Sequence, residues 1–119
     1  MIFALYYTRR MEMSEKRRSA FVRKMRARLK KYDAKITRLQ ANIQESRADR
    51  EIENIESFER LKERRDEAAK KIEEIKESGL ESWVNLKQRV KTAMRDLKQS
   101  FREAKGDLRN QRRKARSSE

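Results

Sequence analysis

An all-α, coiled-coil fold is the expectation for this chain, and three observations predict it. The 119 residues contain no proline, no cysteine, no histidine and two glycines, so little in the chain interrupts a helix. Val22, Met25, Leu29, Tyr32, Ile36, Leu39 and Ile43 recur at alternating steps of three and four, the a/d seam of a coiled coil. With 45% of residues charged and 35% hydrophobic, the chain suits stripe-packed rods better than a conventional globular core.

The first helix is expected to start near Ser14, a suitable N-cap, and to carry the seam from Val22 to Ile43. Beyond Ile43 the rhythm would place Ser46 and Arg50 in the stripe, so the seam is expected to fail there. No glycine or proline lies in residues 44–51, which favours one helix continuing through them. A second seam follows at Ile52, Ile55, Phe58, Leu61, Ala68, Ile72 and Ile75, with Arg65 in the slot between Leu61 and Ala68.

A reversal is expected near Gly79. Lys76 supplies a basic last turn, Gly79 a C′ glycine, and Ser78 to Glu81 reads as a capping box for the next helix. That helix carries Trp83, Leu86, Val90, Met94, Leu97, Phe101, Ala104 and Leu108, a stripe broader than a strict seam, with Trp83 as a core anchor at the corner.

The favoured architecture is therefore an elongated helical hairpin: a long helix over about 14–77, the turn at Gly79, and a second helix over about 81–110. The alternative is a three-helix bundle with a further turn within 44–51. Residues 14–112 form one coiled-coil domain in either case. Residues 1–13 are expected to be a disordered leader and 113–119 a disordered basic tail. The leader run Ile2 to Tyr7 is too short to span a bilayer, which needs about 20 apolar residues. It reads as loosely packed chain, as sequence ahead of a start at Met11 or Met13, or as a small interfacial anchor.

The net charge of +14 is unevenly placed. Residues 1–46 hold 13 Lys/Arg and 4 Asp/Glu, residues 47–81 hold 9 and 12, and residues 82–119 hold 12 and 4. An acidic middle can therefore lie beside a basic arm when the chain folds back. In the hairpin, the first arm has a good seam and no partner in its own chain. Self-association through Val22, Met25, Leu29, Tyr32, Ile36, Leu39 and Ile43 follows, giving a homo-oligomer.

Three segments resemble a family of small bacterial coiled-coil proteins, uncharacterised or of stress-response type. They are L-K-K-Y-D-A-K-I-T-R-L-Q at 29–40, F-E-R-L-K-E-R-R-D-E-A-A-K-K-I-E-E-I-K at 58–76, and the stretch from Glu77 to Phe101 that holds Trp83, Leu86, Lys87, Val90, Asp96, Leu97 and Lys98. The resemblance implies a helical protein that accumulates under stress, with no catalysis and no defined ligand. Family members are more acidic than this chain, so no partner carries over.

Catalysis is not expected. The chain has no histidine to activate a serine, no thiol and no glycine-rich phosphate loop. Carboxylates recur from Glu53 to Glu77, but a di-iron bundle needs Glu-x-x-His, so no metal or other cofactor is expected, nor a small-molecule substrate. The pairs Glu56/Arg60, Asp66/Lys70 and Glu67/Lys71 read instead as a solvated helix face.

The feature with an interaction role is positive charge. Arg17, Arg18, Arg23, Lys24, Arg26, Arg28, Lys30 and Lys31 on the first arm, with Arg112, Arg113 and Lys114 on the tail, could hold nucleic acid or another polyanion, and less readily an anionic membrane surface. No base-reading side chain sits among them as in a bZIP basic region, so binding would be independent of sequence. The function expected is that of a non-enzymatic, cytoplasmic, self-associating structural protein. The alternative is sequence-independent nucleic-acid or ribosome binding.

Overall fold

The computed structural model describes residues 2–49, 56–79 and 82–117, all of them helical apart from the short turn around Gly79. Helix α1 spans Ile2–Asp49, α2 spans Glu56–Glu77 and α3 spans Trp83–Ser117. The expected all-α class holds. The long continuous helix over 14–77 does not: α2 runs antiparallel to α1, so the chain reverses between Asp49 and Glu56. Arg18 meets Ser78, Arg26 meets Glu73 and Asp33 meets Arg65, partners that descend as the first residue rises. The architecture is thus the three-helix alternative, drawn out into a rod only 19 × 17 Å across. Ile52 and Ile55 of the expected second seam lie outside the described residues.

One core runs the length of the rod, and every residue of the first seam belongs to it or packs against it. Leu61, Ile72 and Ile75 of α2 and Val90 and Leu97 of α3 are its most completely buried large side chains. Helix α3 buries the adjacent residues Ala93 and Met94, as α2 buries Ser57 and Phe58. Helix α1 buries a narrower stripe because it lies in the groove between α2 and α3. A coiled-coil-like seam is therefore enough for a third helix, and the first arm needs no second copy to cover it.

Three boundaries differ from expectation. Helix α1 starts at Ile2, not near Ser14, and α3 continues to Ser117 instead of fraying into a tail. In both places nothing in the sequence breaks a helix already nucleated by packing. The seam also continues past Ile43: Ser46 is buried, and its hydroxyl accepts a hydrogen bond from Arg112 Nε at 2.8 Å.

The turn after α2 is built differently from the glycine cap the sequence suggests. Gly79 does not have positive φ. Ser78 instead caps the outgoing helix, donating from both its amide (3.2 Å) and its hydroxyl (2.7 Å) to the Ile75 carbonyl. Ser82 opens α3, its carbonyl accepting from the amides of Asn85 and Leu86. Glu81, the far end of the expected capping box, lies outside the described residues. Trp83 is buried at this corner as expected, 6.4 Å from Phe21 of α1 between ring centroids.

Candidate polyanion-binding groove

The three helix pairs differ in charge. Where α1 meets α2, opposite charges join: Arg26 bonds Glu73, and Arg65 takes Asp33 in a two-pronged grip, Nε to Oδ1 at 2.6 Å and Nη2 to Oδ2 at 2.9 Å. This explains the charged residue in the α2 seam. Its bond to Asp33 makes the Arg65 guanidinium hold its proton still more tightly than usual, and Glu73 is held below the ordinary carboxylate range by its bond to Arg26. Where α2 meets α3, Arg60 lies 3.6 Å from Glu103. Other α2 carboxylates sit beside near neighbours on the same helix, Glu67 with Arg64 and Asp66 with Arg65, in place of the expected four-residue pairs.

The α1/α3 pair has no such sorting. The two helices run parallel, as Phe21 meets Trp83, Tyr32 meets Phe101 and Ser46 meets Arg112. Two grooves follow this junction and adjoin at Lys35. One is walled by Arg28, Lys31 and Lys35 from α1 and Lys91, Arg95 and Lys98 from α3, over a floor of Met25, Tyr32 and Met94. The next is walled by Lys35 and Arg38 from α1 and Lys105, Arg109 and Arg112 from α3, over Leu39, Phe101 and Leu108. No carboxylate lines either groove.

The sequence arranges this locally. On α1 the cations sit one position before successive stripe residues, as in Arg28-Leu29, Lys31-Tyr32, Lys35-Ile36 and Arg38-Leu39. On α3 they sit one position after: Val90-Lys91, Met94-Arg95, Leu97-Lys98, Ala104-Lys105 and Leu108-Arg109. In parallel helices those two flanks face each other, the place where coiled coils ordinarily set opposite charges. Here both flanks are positive. The Asp33 and Glu103 carboxylates of the same two helices are turned to α2 instead.

The aromatic residues of the junction carry ammonium groups. Lys35 Nζ stands 5.2 Å from the Tyr32 ring centroid and 5.8 Å from that of Phe101, and the two rings meet edge to face at 6.3 Å. Lys87 Nζ likewise stands 5.4 Å from Phe21 and 5.6 Å from Trp83. These contacts hold cations over the ring faces at the α1/α3 surface.

Of the residues singled out from sequence, Arg28, Lys31 and Arg112 line the grooves. Arg112 also donates to the Asn42 carbonyl at 3.2 Å, which ties α3 to α1. Arg18 and Arg26 are turned away, Arg18 to the Ser78 carbonyl at 2.5 Å and Arg26 to Glu73. Arg17, Arg23, Lys24, Lys30, Arg113 and Lys114 are exposed and do not line the two grooves. The α3 cations Lys91, Arg95, Lys98, Lys105 and Arg109 were not singled out, although their three-and-four rhythm beside the stripe is visible in the sequence. The self-association seam is buried within the chain, with Tyr32 half-buried at its edge.

Among the described residues no group of acidic side chains could hold a metal ion, and no helix is long and apolar enough to cross a membrane. Comparison with protein-family models, curated proteins and solved structures finds no match, so the functional reading starts from this groove.

Proposed function

We propose that this chain is a non-enzymatic, cytoplasmic protein that binds nucleic acid without reading its sequence, gripping phosphates in the groove between α1 and α3. The observation that carries this reading is that two facing rows of Lys and Arg flank one groove with no carboxylate among them. Such rows repel each other, so they cost stability unless a polyanion lies between them. Binding a phosphate backbone there would release its condensed counterions.

Fluorescence anisotropy with labelled mixed-sequence oligonucleotides tests the proposal. Micromolar-range binding is expected near physiological salt, on the order of 10⁻⁴ to 10⁻⁶ M, with affinity falling steeply as salt rises. The triple variant Lys91→Gln, Arg95→Gln, Lys98→Gln should flatten the log–log salt slope by about 2 to 3. Arg23→Gln, Lys24→Gln and Lys30→Gln together, outside the groove, should change it less. No binding at about 50 mM salt, or equal effects of the two triples, would remove the proposal.

A second reading, self-association into a structural assembly, is favoured by one observation. Helix α1 passes the turn at the end of the bundle, where Arg18 meets Ser78, and residues 2–17 project beyond it for about 24 Å. Leu5 and Met13 on this arm are 67% and 55% exposed. Light scattering behind size exclusion would show a multiple of the chain mass, lost in Leu5→Glu, Met13→Glu; a monomer at all concentrations would exclude it. A role under stress, as the family resemblance implies, fits either reading.

A further inference from the structure

We infer that the α1/α3 groove takes single-stranded nucleic acid in preference to duplex, with bases against its floor and phosphates along its walls. This rests on the nucleic-acid reading above and adds the class of ligand. The argument turns on what lies between the cation rows. A duplex turns phosphates outward and hides its base faces, so it satisfies the walls and leaves the half-buried Tyr32 and Phe101 rings of the floor unmatched. A single strand offers both surfaces at once: a charged backbone and unpaired π-faces that gain by leaving water.

The Tyr32 and Phe101 rings mark where a base would sit. Both are half-buried, one in the floor of each groove, and Lys35 Nζ lies over both. The side chain that covers these rings, Lys35, is itself exposed. A base stacking there would take the place of the Lys35 ammonium, which is left beside the strand to meet a phosphate. The grooves, of 580 and 400 Å³, each have room for a base-sized group. Along α1 they run from Met25 to Asn42, about 25 Å, the scale of the shorter sites in the range of about 4 to 16 nucleotides.

The experiment compares a labelled mixed-sequence 12-nucleotide single strand with the duplex of the same sequence, at about 0.1 M salt where surface charge is only partly screened. Wild-type chain is expected to bind the single strand at least about tenfold more tightly. Tyr32→Leu and Phe101→Leu should each weaken single-strand binding about 5- to 100-fold and duplex binding by much less. Should either variant lose its helical melt, ultraviolet crosslinking of the wild-type chain gives a second measurement. Single strand should then crosslink at the peptides that contain Tyr32 or Phe101. Equal or tighter duplex binding, or crosslinks mapping elsewhere, would overturn the inference and leave the nucleic-acid reading standing. Absence of binding to both ligands would overturn both.

Discussion

The α1/α2 and α1/α3 junctions share one helix and one apolar seam, yet they treat charge in opposite ways. At α1/α2, Arg26 finds Glu73 and Asp33 finds Arg65. At α1/α3, lysines and arginines face one another across an apolar floor. The seam stabilises both junctions, so the difference between them cannot lie in hydrocarbon burial. It lies in the flanks: one junction pairs opposite charges across its helices, and the other sets like charges facing one another.

If the seam is the common support, cutting it should do the greatest damage. Leu61 is fully buried on α2, and Leu61→Ala should destabilise the bundle by about 2–5 kcal/mol in a thermal or denaturant melt. A cost under about 1 kcal/mol would mean that the helices are not held by this core.

The paired junction is next. Asp33→Ala leaves the Arg65 guanidinium half-buried without its two-pronged partner and should cost about 1 kcal/mol. Arg65→Leu, which extends the apolar stripe, should be nearly neutral or stabilising. A double-mutant cycle that showed no coupling would reduce this contact to a surface ornament.

The repulsive junction should respond in the opposite sense. Lys91→Glu with Lys98→Glu would set acids against the α1 cations, raising stability by about 0.5–1 kcal/mol at low salt while abolishing nucleic-acid binding. Raising salt should stabilise the wild-type chain and do so less for this variant. Salt-independent melting of both would show that the facing cations do not repel.

Gly106 provides a control that changes no charge and lines neither groove. A Cβ there meets nothing within 4 Å, and the helix is continuous through it, so Gly106→Ala should stabilise by about 1 kcal/mol without altering binding.

The smallest effect concerns acid. Glu73 titrates below its ordinary value because Arg26 bonds the ionised form, so its contribution is full above the unfolded carboxylate range. It is lost as pH falls through the lowered folded value, and Glu73→Gln should remove that part of the acid dependence from a melting-versus-pH series.

Much of this was legible in the sequence, and the misses have physical causes. The seam from Val22 to Ile43 and the stripe from Trp83 to Leu108 follow from periodicity, and the place of the reversal near Gly79 from a local break in it, although Ser78 and not a glycine cap closes the helix. The continuous helix is favoured from sequence because no glycine or proline lies between the first two seams; a chain of good helix formers still folds back when two seams gain by meeting. Ser46 was placed outside the seam because a serine is a poor core residue in isolation, but Arg112 from a remote helix satisfies its hydroxyl. The α3 cations were overlooked because charge beside a stripe ordinarily means a solvated flank.

The amino-acid order alone determined that this chain is helical, where its apolar stripes run and that its acids are concentrated in the middle, since each is a property of neighbours along one strand of chain. Only the tertiary structure decided that α1 folds back on α2, and that α1 and α3 lie parallel with their basic flanks facing. Which flank meets which depends on helix direction, and direction is set by where all three stripes can be buried together, an energy that no segment holds by itself.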